Sequence, residues 1–320
     1  MSPDIPKRPI DLLSIVIPIF NESAVLPELR IELERVLSTL NCRWEVLFVD
    51  DGSWDLSYNI LSEWSQQEER IKIIRLSRNF GQQAAFTAGL DRALGDVVVT
   101  MDADLQDPPE LIQEMVDHYQ KGCDIVYAKR QRREGESWFK KATAYVFYRL
   151  LRHESAGLIP EDTGDFRLMS RPTVDILNQM RERHRFLRGM SAWVGFSQMA
   201  ITFERPIRKQ GKTKYSVKKM CTLAADAVFS FSILPLRISL LLGMVVFCFG
   251  VLYSIYSLIQ KYCYADVVPG WTALVMLLSI IGGAILVCLG VIGEYIGRIY
   301  EEVKHRPLYI VRESRNLGAK

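Results

Sequence analysis

The chain has 320 residues, 49% of them hydrophobic and 24% charged, which excludes a disordered or fibrous polypeptide and suits about two globular units. Its net charge of +3 is nearly balanced, so charge alone points to no nucleic-acid partner. Six cysteines (Cys42, Cys123, Cys221, Cys248, Cys263, Cys288) lie scattered without a C-x-x-C pair, which argues against a structural zinc site or disulfide framework and suits a reducing compartment.

The start, MSPDIPKRPIDLL, lacks a long apolar stretch, so no cleavable signal peptide is expected. Beyond it, apolar β-rich runs (LLSIVIPIF, WEVLFVDDGS, IKIIRLS, DVVVTMDAD, DIVYAKR) alternate with helically spaced segments at 24–40, 55–68, 82–94 and 109–121. Nearly continuous apolar strands are buried on both faces, and their alternation with helices implies parallel β-α-β units. The expected fold class is α/β, an open and mostly parallel sheet with flanking helices, spanning residues 1–204. Ligands of such sheets collect beyond the carboxyl ends of the strands. The first, second and fourth predicted strands end there in polar clusters: PIFNE, VDDGS and MDADLQD.

In the third cluster, Asp102 and Asp104 lie two apart on an extended segment and so point the same way. Two such charges are tolerable if solvated, or useful if a cation sits between them. With Gln106 and Asp107 they offer hard oxygen ligands and no nearby Cys or His, a set suited to Mg2+ or Mn2+ held jointly with substrate phosphates. Asp50 and Asp51 of VDDGS fit an ordinary Asp-Gly turn, or a carboxylate that accepts an N–H from a base or a ribose hydroxyl. His153, His184 and His305 have no metal-ligand spacing and read as structural.

Amphipathic helices with aromatic and basic sides are expected at 137–153, carrying Lys140 and Arg149, and at 217–234. Two uncharged runs follow, 238–259 and 271–293, each long enough to cross a hydrocarbon core of about 30 Å. The segment 205–219 is rich in Lys and Arg without an acid, and basic residues also follow the second run, whereas the link 260–270 carries one Lys and one Asp. The positive-inside bias therefore puts both ends in the cytoplasm, with 205–237 as a basic loop and juxtamembrane helix and 294–320 as a cytoplasmic tail. Gly290, Gly293 and Gly297 hint at close helix contact and leave a homo-oligomer open.

Taken together, SIVIPIFNE, VDDGS, RNFGQQAAFTAGLDRALGDVVVTMDADLQDPPE and GDFRLMSR resemble the polyprenyl-phosphate glycosyltransferases. This group has a GT-A, family-2 fold and includes dolichyl-phosphate mannose synthase and the GtrB-like bactoprenol glucosyltransferases, whose two C-terminal spans this chain shares. The resemblance implies a nucleotide-sugar donor bound by Pro18, Phe20, Glu22 and Asp51, with Asp50 beside it and Arg78 and Gln82 nearby. Asp102 would touch ribose or metal, and Asp104 and Gln106 the Mg2+ or Mn2+. Arg130, then Lys140 and Arg149, are the candidates for the acceptor phosphate. Lys214 and Tyr215, in the basic loop, would close over the diphosphate, or that loop is a patch attracted to anionic lipid. Asp165 matches the position often assigned as the base, and steering of acceptor or sugar is its competing role.

The implied reaction is inverting transfer of one hexose, glucose from UDP-glucose foremost, to undecaprenyl phosphate at the inner membrane of a bacterium. GDP-mannose and UDP-linked aminosugars are the alternative donors. A non-catalytic nucleotide-binding membrane scaffold is disfavoured because Asp102 and Asp104 are both present. A polymer-exporting synthase is disfavoured by only two spans and no Q-x-x-R-W motif.

Overall fold

The computed structural model describes residues 8–130, 163–203, 234–263 and 270–317. The expected helices at 137–153 and 217–234, with Lys140, Arg149, Lys214 and Tyr215, lie outside these residues, except that residue 234 opens a later helix.

Elements follow in the order β1 (Leu12–Ile19), α1 (Leu26–Leu37), β2 (Arg43–Asp50), α2 (Ser57–Gln67), β3 (Ile71–Leu76), α3 (Gln82–Leu90), β4 (Val97–Thr100), α4 (Leu111–Gln120) and β5 (Ile125–Arg130). Then come β6 (Thr163–Ser170), α5 (Arg171–Gln179), α6 (Leu187–Trp193), β7 (Gln198–Phe203), α7 (Leu234–Cys263), α8 (Trp271–Val303) and β8 (Val311–Arg315). The expected open α/β sheet is present, and among the described residues it has eight strands in the order β7-β5-β6-β4-β1-β2-β3-β8, with three antiparallel pairings besides the parallel ones.

Strands β4, β1, β2 and β3 are mutually parallel, so their carboxyl ends share one edge. The chain winds outward from β1 through β2 to β3, then returns across α3 to β4 on the other flank of β1. That reversal opens a crevice at the β1/β4 boundary, where a doubly wound sheet receives its ligand. Strand β6 runs antiparallel to both β4 and β5, so it starts at that same edge with Gly164 and Asp165 and carries FRLMS away from it.

Side-chain periodicity explains the burial. Ile15, Ile17, Phe48, Ile73 and Val99 on one face and Val16, Leu47, Val49, Ile74 and Val98 on the other are all buried, as a sheet covered on both faces requires. Helix α3 lies so close to β1 that a Cβ on Gly89 would sit 2.2 Å from Val16 Cγ1. At the amino-terminal edge, Glu45 on β2 accepts from Ser14 Oγ at 2.5 Å and from the Leu94 N–H at 2.9 Å, and it pairs with Lys72. Gly95 N–H in turn donates to Ser14 Oγ at 2.8 Å, so one buried carboxylate joins β1, β2, β3 and the turn before β4.

The segment 294–320, expected as a tail, contains regular structure. Helix α8 continues past residue 293 to Val303, and β8 then pairs antiparallel with β3, filling what would be an open sheet edge. Tyr309 Oη donates to Asp91 at 2.6 Å, and Asn316 Nδ2 donates to the carbonyls of Ser65 and Ile71 at 2.6 and 2.9 Å. The molecule divides into two units, one of residues 1–219 with 307–320 and one of residues 220–306.

In the second unit, α7 and α8 are both long and apolar enough to cross a membrane. Large apolar side chains such as Leu240, Phe247 and Leu286 are exposed along them, at 68, 70 and 70%, which a soluble core helix would bury.

Replacing Glu45 by Ala is expected to destabilise the first unit by about 3–5 kcal/mol, because the mostly buried Lys72 ammonium is left unpaired. Lys72→Met combined with Glu45→Ala should recover much of that loss. Denaturant unfolding followed by near-UV circular dichroism would measure both.

Candidate active site

Three loops meet beyond the carboxyl ends of β1, β2 and β4. Phe20, just past β1, meets Trp54 edge-on with ring centroids 4.9 Å apart, and Trp54 is 79% exposed. Asn21 adopts a φ of 54°, donates its N–H to Ser53 Oγ at 3.0 Å and accepts the Trp54 N–H through its side-chain oxygen at 3.0 Å. Glu22 N–H donates to Ser57 Oγ at 2.9 Å. Pro18 sits within β1 opposite Val49.

The two aspartates of VDDGS have separate tasks. Asp50 is fully buried, its Oδ1 accepts the Ser53 N–H at 2.9 Å, and Arg75 of β3 lies 3.4 Å from its other oxygen. This is the turn role, with Asp50 fully buried behind Asp51. Asp51 reaches across to the loop before α3, where Oδ1 and Oδ2 accept the N–H groups of Phe80 and Gly81 at 2.7 and 2.9 Å. Burial pushes its pKa up to about 6, against the opposing pull of those two hydrogen bonds. The close approach of the two loops requires Gly52, whose φ is +73° and whose Cβ would lie 2.6 Å from the Arg78 carbonyl carbon. Arg78 itself is exposed, stacked over Phe80 with its guanidinium carbon 4.1 Å from the ring centroid.

Helix α3 begins at that clamp, and its first two residues serve the acid cluster. Gln82 Nε2 donates to Asp102 Oδ1 at 2.5 Å. Gln83 Nε2 donates to Asp165 Oδ2 at 3.4 Å, while its Oε1 accepts the Leu187 N–H at 3.0 Å. The antiparallel ladder brings Asp165 beside the cluster: Thr100 is paired with Arg167, and two residues further on Asp102 comes opposite Asp165. Asp165 is 3% exposed and is gripped by Arg188, with Nε to Oδ1 at 2.9 Å and Nη2 to Oδ2 at 3.0 Å.

Within the cluster, Asp107 is buried and accepts the Asp102 N–H at 3.1 Å, while Asp104 Oδ1 accepts the Gln106 N–H at 3.2 Å. Leu105 between them has a φ of 57°, which makes the kink. Gln106 is 8% exposed. The pKa of Asp102 is raised well above the usual carboxylate range, by burial first and then by the charges of Asp107, Asp165 and Asp104, with Arg188 opposing.

Among the described residues no three carboxylate, imidazole or thiolate groups converge as a ready metal cage. The crowded carboxylates around Asp102 still fit a divalent cation, provided the ligand brings oxygens of its own, as Mg2+ sites on one or two carboxylates do. Of the acceptor candidates, Arg130 ends β5 opposite Phe203, as expected from its place in the sequence. Residues not singled out beforehand are Gln83, Arg167 and Arg188. Arg167 is buried, donates to Ser191 Oγ and to the Gly164 carbonyl, and desolvation lowers its pKa to about 10. The run RERHRFLRG holds four arginines without a helical or strand period, so nothing in its pattern marks Arg188 as the one that meets Asp165.

A wound sheet that gathers the Phe20–Trp54 pair and a D-x-D cluster on one edge, followed by two apolar helices, is the architecture of a GT-A-like glycosyltransferase with a membrane hairpin. Residues 14–176 match the model of glycosyl transferase family 2, and residues 234–299 match that of the GtrB C-terminal hairpin. The chain belongs to glycosyl transferase family 2. It is 47% identical over 301 residues to the uncharacterized glycosyltransferase YkcC of Bacillus subtilis, covering 94% of this chain and 93% of that one. It is 45% identical over 301 residues to the uncharacterized glycosyltransferase sll0501 of Synechocystis, covering 94 and 95%. The bactoprenol glucosyl transferase of Shigella phage SfII is 36% identical over 302 residues, covering 94 and 98%.

Because the pKa of Asp51 is raised from 3.8 to about 6 on folding, the folded chain holds a proton there that the unfolded chain has lost. Its contribution to stability is complete below about pH 4 and is lost as pH rises through about 6. Asp51→Asn should flatten that part of the stability profile, measured by denaturant unfolding at pH 4, 5, 6 and 7. An unchanged slope would mean that Asp51 is not the group responsible.

Proposed function

We propose that the chain transfers one hexose, glucose from UDP-glucose foremost, to a polyprenyl phosphate such as undecaprenyl phosphate. The observation that carries this reading is the clustering of Asp102 and Asp104 beside the Phe20–Trp54 and Asp51 loops, in a chain whose similarity to a bactoprenol glucosyl transferase runs nearly end to end. Phe20 and Trp54 offer an apolar platform for a base, with Pro18, Glu22, Asp51 and Arg78 around it. Asp104 and Asp102 would hold Mg2+ or Mn2+ against the sugar diphosphate. Bound there, the ion supplies charge to stabilise the departing nucleoside diphosphate. Gln82 keeps Asp102 oriented for that task.

The acceptor phosphate carries about 1.5 to 2 negative charges at neutral pH, so its oxygen attacks the anomeric carbon without first losing a proton to the protein. The bond to the departing diphosphate breaks as the new one forms, and the sugar inverts. The Lys- and Arg-rich segment 205–219, with Arg298, Lys304 and Arg306 after the second span, supports placing the catalytic unit on the cytoplasmic side. Arg130, Lys140, Arg149, Lys214 and Tyr215 remain the proposed contacts to lipid phosphate and diphosphate.

Membranes carrying the protein, supplied with polyprenyl phosphate, Mn2+ and a panel of labelled nucleotide sugars, should transfer label to lipid from UDP-glucose above GDP-mannose or UDP-aminosugars. Label found only in polymer or protein would refute the reading. Asp104→Ala should lower turnover at least a hundredfold with membrane insertion intact, whereas unchanged turnover would favour a binding scaffold.

A further inference from the structure

Asp165 holds the position expected of a base, yet its carboxylate is committed to a cation. Arg188 Nε and Nη2 meet its two oxygens at 2.9 and 3.0 Å, in the parallel fork that guanidinium and carboxylate form best. We propose that Arg188 is a phosphate-binding residue of this site and that Asp165 is its positioning residue, not a proton acceptor. The proposal rests on the reading above in taking the ligands to be a nucleoside diphosphate sugar and a lipid phosphate.

Three features carry it. First, Asp165 is 3% exposed and paired with a group that stays protonated at any working pH, and a carboxylate so paired is a poor base. Second, Arg188 keeps 32% of its side chain exposed, unlike Arg167 beneath it, which is 3% exposed. That exposed part of the side chain lies where phosphate oxygens could reach a guanidinium, the side chain best matched to them.

Third, Arg188 is held in place before any ligand arrives. It is the second residue of α6; Gln83 ties the first, Leu187, to Asp165, and Ser191 Oγ donates to the Arg188 carbonyl at 3.1 Å. A long side chain that is already immobilised loses little more freedom on binding. A fixed cation bordering carboxylates that await a metal suits an anion bridging both. The departing diphosphate and the lipid phosphate share that chemistry.

The test is a double-mutant cycle on the purified full chain, using R188Q, D165N and the pair together, with R188K retaining a cation beside the buried carboxylate. Calorimetry would read binding of UDP with Mn2+, and separately of a short-chain prenyl phosphate in detergent; turnover is read in parallel. R188Q and D165N should each weaken one of these ligands about ten- to a hundredfold. The pair together should be no worse than R188Q alone, and R188K should fall between R188Q and the parent. Weakened UDP binding assigns Arg188 to the diphosphate, and weakened prenyl phosphate binding assigns it to the acceptor.

The proposal is overturned if R188Q binds both ligands like the parent protein. It is also overturned if adding D165N to R188Q removes a further factor of about 10²–10⁴ from kcat, as loss of a base would. A parent protein that binds as expected but passes no sugar to lipid would sink the proposed function and leave this assignment standing.

Discussion

The site depends on one buried carboxylate that joins two loops. By accepting the N–H groups of Phe80 and Gly81, Asp51 fixes where α3 begins, and with it the directions of Gln82 and Gln83. Those two amides then reach Asp102 on one side and the Asp165–Leu187 pair on the other. The ends of β2, β4 and β6 are thereby connected through five side chains: Asp51, Gln82, Gln83, Asp102 and Asp165. Gly52 is the steric condition for it, since any side chain there would strike the Arg78 backbone.

Around this frame the electrostatics are deliberately unbalanced. Asp102 lies among Asp104, Asp107 and Asp165, with Arg188 opposing them, and burial first and those charges second displace its pKa upward. Such a centre is relieved by a ligand that brings positive charge to the carboxylates and negative charge to the arginine. A divalent ion carrying a sugar diphosphate has both, and the cluster is therefore better suited to a two-part ligand than to a bare metal ion.

The C-terminal strand shows a different constraint. VRESR is short and charged, with none of the apolar alternation that marks a half-buried strand, and it reads from sequence as tail. What makes it a strand is the open edge of β3, whose backbone groups need partners that β8 supplies. Glu313 stands opposite Arg75, which is the residue beside Asp50, so the last strand bears indirectly on the turn that presents Asp51.

Local pattern was enough for the wound α/β sheet, the three polar strand ends and the two long apolar helices, because each is written in hydrophobic periodicity or in contiguous residues such as DDGS and DADLQD. The division of labour between Asp50 and Asp51 was not legible, since adjacent carboxylates differ only in which face of the strand end they occupy. Nor was the Asp165–Arg188 fork, whose members are 23 residues apart and meet only because β6 runs back antiparallel to β4 while α6 turns over it. Sequence determines which groups are present and which segments are buried; pairing of charges across strands is decided by register and burial, which exist only once the chain has folded.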